Sequence, residues 1–520
     1  VLNPGSPVRV ARQLNSLRNW GFSLAGELRQ AALRSPDRVA VIDERRGDIT
    51  YTELLAGAEG VANALRAAGI AAGDRIGVLC RNHVGAIETM VGACLLGVDA
   101  VLANTGLSAA QLATVAEDQR LRALVHDDEF AQVMSTVPGA VRRLDEQWLA
   151  EAVTGRGAVR RPEQPGRTIV LTSGTTGTPK GARRRTPGGF GPLASIIDRI
   201  PLRAGDRIFI AAPLFHTWGF AALQISFALR ATVVLHRRFD PVAAHDGLVR
   251  HCCQALFAVP VMLQRMLDGV FPAASLARSA RLTDSDAPFP GRPPLRVTAV
   301  SGSALPGGLA TRFMDAYGDV LYNLYGSTEA SWASIATPAE LRRAPNTAGR
   351  PPRGTRVAIL DAAGKPVAPG EVGRVFVGND MLFEGYTSGA TRETREGMLA
   401  TGDLGHIDDG LLFVDGREDD MIVSGGENVF PSEVEDLLAR LPQVREAAVV
   451  GVVDQEYGQR LAAFLALHPG ERLDADAVRE YVRHYLARFS VPRDVYFIDA
   501  LPRNATGKVV TRDLMWWLQR

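Results

Sequence analysis

"RIGVLCRNHVGAIETMVGACLLGVDAVLAN", residues 75–104, decides the fold class. Its ends, "RIGVLC" (75–80) and "AVLAN" (100–104), are short apolar runs of strand length. The run between them, "GAIETMVGACLLG" (85–97), has helical length and spacing. Strand, helix, strand is the βαβ unit of a parallel sheet. Outward from it the rhythm continues. "ELLAGAEGVANALRAAG" (53–69) and "SAAQLATVAEDQ" (108–119) read as helices, and "RALVHD" (122–127) as a strand. Further buried strands follow at "RIFIAAP" (207–213), "TVVLH" (232–236), "ALFAVP" (255–260) and "RVTAVSG" (296–302). Such alternation argues for parallel sheets with helices on both faces.

Between 345 and 415 the pattern changes to short strands broken by Gly and Pro: "TRVAIL", "GRVFVG" and "LLFVDG". A polar segment, "REDDMIVSGGENVFP" (417–431), precedes a second small unit. That unit opens with "PSEVEDLLARL", a helix with Pro in its first turn and acids near its N-terminus. Strands "EAAVVGVV" and "AAFLAL", a helix at about 473–488 and a strand "VYFI" complete it. The expected class is α/β. A large N-terminal domain (1–416) of parallel α/β sheets carries a β-rich subdomain; a hinge (417–420) joins it to a small mobile C-terminal α+β domain (421–520).

The chain has 520 residues, 46% hydrophobic and 22% charged, with Lys+Arg 58 against Asp+Glu 57. A net charge of +1 gives no global field that would select nucleic acid or an anionic membrane. The apolar stretch 208–229 approaches membrane-spanning length, but Pro213, His216 and Gln224 interrupt it; it reads as a buried strand, loop and helix. Cys80, Cys94, Cys252 and Cys253 have no ligand spacing and read as buried thiols of a reducing compartment. The N-terminus lacks the apolar core of a secretory signal, so a cytoplasmic location is expected.

The chemistry starts at "LTSGTTGTPKGA" (171–182), which follows the apolar strand "RTIVL". Lys180 stands between Pro179 and Gly181, so the Gly-Lys-Ser/Thr ending of the NTPase P-loop is absent. Backbone N–H groups and hydroxyls of Thr172, Ser173, Thr175 and Thr176, with the cation of Lys180, nonetheless suit nucleotide phosphates. Gly174 and Gly177 allow the backbone to approach them closely.

Four further segments follow in order: "YNLYGSTEA" (322–330), "TGDLG" (401–405), "DGREDDMIVSGGENVFPSEVE" (415–435) and "LPRNATGKVV" (501–510). With the loop, they resemble the signature motifs of the adenylate-forming superfamily, which includes acyl-CoA synthetases, luciferases and peptide-synthetase adenylation domains. The resemblance runs from about Phe22 to the C-terminus. The hinge segment looks like that of aryl- and acyl-CoA ligases, and residues 19–44 are similar to bacterial long-chain fatty-acid ligases. The reaction so implied joins a carboxylate to the α-phosphate of ATP, releasing pyrophosphate. Two anions meet at phosphorus, so charge stabilisation and alignment dominate the catalysis.

What each residue would do is implied by the resemblance. Glu329 matches the Mg²⁺-binding glutamate, with Thr172 as hydroxyl partner. Tyr325 would stack on adenine and Asn323 would read its amino group. Gly302, Ser303 and Ala304, within "SGSAL", would form the other side of the adenine slot. Gly326, Ser327 and Thr328 complete the nucleotide-binding turn. Asp403 would hold the ribose hydroxyls with Arg417 assisting. Lys508 matches the lysine that bridges carboxylate and α-phosphate. His216 aligns with the gate near the carboxylate, and Trp218, Gly219, Ala221 and Ala222 beside it would shape the acyl pocket. In isolation the aspartate reads as a turn residue and the histidine as a satisfied core residue.

The acceptor differs among members. Asp419 matches the hinge about which the small domain rotates, and Gly425 and Gly426 match the pair lining the pantetheine tunnel. Arg183–Arg185 are candidates for CoA phosphates. The main expectation is an ATP- and Mg²⁺-dependent ligase making fatty acyl-CoA from a medium- or long-chain acid. Fatty acid, ATP and CoA are then the partners, with room for peripheral membrane contact and none for nucleic acid. Alternatives are an aryl or other acid–CoA ligase, a fatty acyl-AMP ligase serving a carrier protein, and a non-catalytic nucleotide- or acyl-binding protein. A peptide-synthetase module would need an acid near the pocket, and 214–226 has none.

Overall fold

The structure, a computed structural model, describes residues 6–172, 179–270, 293–424, 427–454 and 458–518. Two α/β sheets build the large domain. In the first, the described strands run Ser334–Ala336, Leu321–Tyr325, Val297–Val300, Ala255–Ala258, Arg207–Ile210, Thr232–Leu235, Val39–Asp43 and Gly47–Thr50. Its inner strands are parallel and both edge strands antiparallel. In the second the order is Arg142–Leu144, Ala123–His126, Arg75–Leu79, Asp99–Leu102, Thr168–Thr172 and Lys180–Arg183. Only Lys180–Arg183 is antiparallel there, because it returns directly from the strand before it.

The helix Val84–Leu96 explains why there are two sheets. Every one of its residues is buried. A helix apolar on all faces needs cover on both sides, and it shares one core with Ile76 and Val78 of the second sheet and Val41 and Val233 of the first. The βαβ reading holds at each strand; the splitting of the strands between two sheets is added by the structure.

The β-rich subdomain is a third sheet of Arg356–Leu360, Gly373–Gly378, Met398–Asp408 and Thr394–Arg395, with Leu411–Arg417 paired to Met398–Asp408. The chain leaves it at Arg417, makes one 3₁₀ turn at Glu418–Asp420, and enters a fourth sheet at Ile422–Ser424. This last sheet packs the helices Pro431–Leu438 and Ala475–Tyr485 against its core.

The stretch 208–229 forms the strand Arg207–Ile210, a loop, and the helix Thr217–Ala228. Among the described residues no helix is long and apolar enough to cross a membrane. One thiol departs from expectation: Cys252 is exposed, because it sits at positive φ (47°) in the turn before Ala255–Ala258, while Cys253 is fully buried. Cys80 lies within ligand reach of His83 and Asp127. However, His83 Nε2 meets Asp127 Oδ1 at 2.8 Å and Arg237 takes Oδ2 at 2.9 Å, so this cluster is closed by an ion pair.

Candidate active site

Parallel strands end together, and the loops beyond their C-terminal ends form the natural crevice of an α/β sheet. The loops after Arg207–Ile210, Val297–Val300 and Leu321–Tyr325 open onto one cavity of about 1720 Å³, and Thr172 at the end of Thr168–Thr172 lines it too. The small domain closes it from above with residues 503–513. Thr172, Lys180, His216, Gly302, Ser303, Ala304, Asn323, Tyr325, Gly326, Ser327, Thr328, Glu329, Asp403, Arg417, Asp419 and Lys508 all line it. Ser173, Gly174, Thr175, Thr176 and Gly177 lie outside the described residues, as do Gly425 and Gly426.

The cavity wall holds a buried charge cluster. Glu329 is 5% exposed. Its Oε1 accepts from the Tyr386 hydroxyl at 2.6 Å and lies 3.8 Å from Arg392, while Oε2 keeps its lone pairs free among the described residues. Thr172 donates its hydroxyl to the Lys180 carbonyl at 3.2 Å, which leaves that oxygen's lone pairs available. One carboxylate oxygen and one hydroxyl lining the same cavity fit the hard-oxygen shell that Mg²⁺ prefers.

Arg184 is 8% exposed and donates through Nη2 to Ser331 Oγ at 3.3 Å. Its Nη1 is buried with no partner among the described residues. Burial pushes this guanidinium down to about 10, against the pull of Glu329. The expectation that Arg183–Arg185 form a surface patch for CoA phosphates is therefore corrected. The edge strand ends at Arg183, and the next residue turns inward toward the 327–331 segment, leaving only Arg185 exposed.

His216 caps the helix Thr217–Ala228, its Nδ1 accepting from the Trp218 N–H at 3.4 Å. Burial lowers its pKa to about 4, helped by the Arg184 charge, so the ring is neutral at pH 7 and its Nε2 carries the proton. Next to it the Thr217 and Thr328 hydroxyls meet at 2.8 Å, tying the helix to the "GSTE" turn. In that turn Ser327 Oγ accepts from the N–H groups of Glu329 and Ala330 at 3.2 and 3.0 Å, so the Ser327 side chain shapes the loop. Gly302 has φ +100°, and a Cβ there would stand 3.6 Å from His216 Cε1.

Tyr325 of the first sheet and Asp403 of the β-rich subdomain meet directly. The phenol donates to Asp403 Oδ2 at 2.5 Å, and Arg417 Nη1 lies 3.3 Å from Oδ1. The ring is thereby fixed as a flat wall, with a carboxylate at its rim that retains lone pairs for hydroxyl donors. Lys508 sits in a tight loop pinned by Asn504, whose Oδ1 accepts from the N–H groups of Thr506 and Lys508 at 3.0 Å each. A Cβ on Gly507 would come within 2.5 Å of Val261 Cγ1, so that loop is seated on the large domain.

The acyl side runs along the helix Thr217–Ala228. Thr217, Ala221, Gln224, Ile225 and Ala228 line the cavity and share one face at helical spacing. Trp218 also lines it, anchored by its Nε1 bond of 3.0 Å to the Ala258 carbonyl. Gly219 and Ala222, expected here, face elsewhere. A Cβ on Gly219 would meet the Pro213 carbonyl oxygen at 2.2 Å, so that glycine serves the tight entry of the helix, and Ala222 is fully buried in the core. Leu193 and Ile196 line it too, with Phe22 and Glu27 from the N-terminal helices and their connection.

Sequence reasoning missed Arg184 as a cavity cation, Tyr386 and Arg392 as partners of Glu329, and Glu27 as a lining acid. The stretch 214–226 carries no acid, whereas Glu27 reaches the site from about 190 positions earlier.

A family model described as AMP-binding enzyme matches residues 28–387, and one described as AMP-binding enzyme C-terminal domain matches residues 433–508. A 2-succinylbenzoate–CoA ligase of Geobacillus kaustophilus (strain HTA426) is 32% identical over 511 residues, spanning 96% of this chain and 98% of its own. A feruloyl-CoA synthase of an Amycolatopsis species is 32% identical over 503 residues, spanning 95% and 98%. The o-succinylbenzoate CoA synthetase of Bacillus subtilis, solved with its acyl-adenylate intermediate, superposes with a TM-score of 0.79 at 29% identity over 95% of this chain and 97% of that one.

Proposed function

The chain belongs to the AMP-binding enzyme family, and from that premise we propose that it is an AMP-forming acid–CoA ligase. A carboxylate oxygen attacks the α-phosphorus of ATP, the bond to the β-phosphate oxygen breaks, and pyrophosphate leaves. The CoA thiol, losing its proton, then attacks the acyl carbon and displaces AMP. The observation that carries this reading is the convergence of Arg184, with its unpartnered buried Nη1, and Lys508 on one cavity with neutral His216. Cations aimed where two anions must meet supply the electrostatic stabilisation that the first step needs. His216 donates from Nε2 without adding or losing charge. Glu329 and Thr172 would hold Mg²⁺, whose chemistry there is to neutralise the phosphate oxygens and the leaving pyrophosphate.

Lys508 belongs to the first step. Rotation about Asp419 would withdraw its loop and bring Gly425 and Gly426 to the cavity for the second. Tyr325 and Asn323 would hold adenine, and Asp403 with Arg417 the ribose.

The acid is read as aryl or otherwise functionalised in preference to a saturated fatty acid. Gln224 and Glu27 stand among the cavity's walls. A plain hydrocarbon tail would leave such groups facing apolar atoms without partners, a cost of about 1–3 kcal/mol each. The relatives named above support the same choice by their printed acids. The apolar lining at Phe22, Leu193, Ile196, Ile225 and Ala228 favours the second reading, a medium- or long-chain acid. CoA-dependent AMP release across aryl, oxygenated and saturated acids decides the matter. An aryl or oxygenated acid is expected to exceed dodecanoate in kcat/KM; dodecanoate as the best substrate would return the fatty-acid reading.

A further inference from the structure

At the far end of the acyl cavity from His216 stands a buried carboxyl that nothing in the adenylation chemistry uses. Glu27 lies in the first turn of the helix Leu24–Arg34, is 7% exposed, and lines the cavity. The cavity follows one face of the helix Thr217–Ala228 from its histidine cap to Ala228. At 1.5 Å per residue that face is about 17 Å long.

The carboxyl is held in place from behind. Gln30 is 1% exposed and donates through Nε2 to the Phe227 carbonyl at 3.0 Å and to Glu27 Oε2 at 3.1 Å. Gln13 fixes the other end of that amide by donating to Gln30 Oε1 at 2.5 Å. Among the described residues nothing bonds to Glu27 Oε1. Glu27 is part of the cavity wall, and Oε1 is the oxygen left free to pair with what enters there. A buried polar group oriented by a second buried polar group, with one oxygen left free in a cavity wall, is the arrangement that reads a substrate's hydrogen-bonding group.

We propose that Glu27 is a specificity residue that recognises a hydroxyl group at the end of the acid remote from its carboxylate. The proposal rests on the ligase reading above. A hydroxyl fits better than an ammonium group because Arg230 already places a positive charge near Glu27. A hydroxyl also pairs with either form of the carboxyl, donating to the carboxylate or accepting from the acid. The second case matters because burial raises Glu27 to about 8, leaving most of it protonated at pH 7. Since Oε2 accepts from Gln30, the proton falls on Oε1.

The test compares matched acids that differ only in a terminal hydroxyl: alkanoates and ω-hydroxyalkanoates of eight to sixteen carbons, and ω-phenylalkanoates and their 4-hydroxyphenyl counterparts. CoA-dependent AMP release gives kcat/KM for each with the wild type, Glu27→Leu and Glu27→Gln. In the wild type the hydroxylated member should be favoured at least tenfold at one chain length, with little preference at shorter lengths. In Glu27→Leu that ratio should fall to near unity or below as the unhydroxylated acid improves. Glu27→Gln, which keeps an oxygen for Gln30 and a donor for the cavity, should retain part of the preference and guards against a folding defect in the leucine variant. AMP release with no hydroxyl preference at any length, or the same preference in Glu27→Leu, overturns the assignment and leaves the ligase reading standing. AMP release from no acid at all overturns the ligase reading and this proposal with it.

Discussion

Replacing Arg184 by Met should make the protein more stable and less active. Burial pushes the guanidinium down from its usual value to about 10 in the fold. A depressed pKa on a base means that the fold disfavours the charged form. That penalty is full at every pH below about 10 and disappears above the unfolded value. The shift corresponds to ~3 kcal/mol, already net of the attraction to Glu329. Methionine keeps the apolar stem but loses the bond to Ser331, worth about 1 kcal/mol. The net gain is about 1–2 kcal/mol, or roughly 1–3 °C in Tm for a chain of this size. Activity should move the other way. If the charge is there for the reacting carboxylate and α-phosphate, losing it removes a stabilising group at the transition state. Acid-dependent pyrophosphate release should then fall about 100- to 1000-fold. Thermal unfolding of the free protein and a pyrophosphate-release assay measure the two arms. A lower Tm together with wild-type adenylation would refute the reasoning, because Arg184 would then serve the fold and not the chemistry.

Other consequences are open to direct measurement. His216, lowered to about 4 by burial, stays neutral in the fold while the unfolded chain protonates near 6.5. Wild-type Tm should therefore fall between pH 6.5 and 4, and His216→Phe should flatten that slope; equal slopes in both proteins would exclude His216 as the source. Glu329→Gln keeps the bond from Tyr386 but removes the negative charge, so adenylation should drop by orders of magnitude with a weaker response to added Mg²⁺. An unaltered Mg²⁺ titration would locate the metal elsewhere. Lys508→Ala should abolish pyrophosphate exchange yet still convert a supplied acyl-adenylate to acyl-CoA, whereas Asp419→Pro should form adenylate and transfer it slowly. Equal loss of both half-reactions in Lys508→Ala, with the fold intact, would rule out separate conformations for the two steps. Gly507→Ala, whose new methyl would press on Val261, should weaken only the adenylation half.

What the sequence determined by itself is whatever depends on neighbours along the chain. Residues 75–104 carry strand, helix and strand in their length and apolar spacing, and each forms where expected. "GSTE" carries its turn, since Ser327 bonds to N–H groups two and three residues on. The loops expected to bind nucleotide fall at strand ends because a strand must stop where Gly and hydroxyl residues replace apolar ones. Tertiary structure alone decided everything that depends on which surfaces meet. The division into two sheets follows from the need to cover the helix Val84–Leu96 on every side, a demand that any one strand's pattern leaves unassigned. Gly219 looked like room for a ligand, yet its missing Cβ is spent on the Pro213 carbonyl. Arg184 looked like one of three arginines for CoA phosphates, but the fold buries it past the end of the edge strand, within the electrostatic reach of Glu329, about 145 residues away in sequence. Glu27 has the spacing of an ordinary helix-start acid, and only the packing of Leu24–Arg34 against Thr217–Ala228 removes it from water and sets it in the cavity wall. Burial and long-range charge are properties of the assembled surfaces, and no local pattern encodes them.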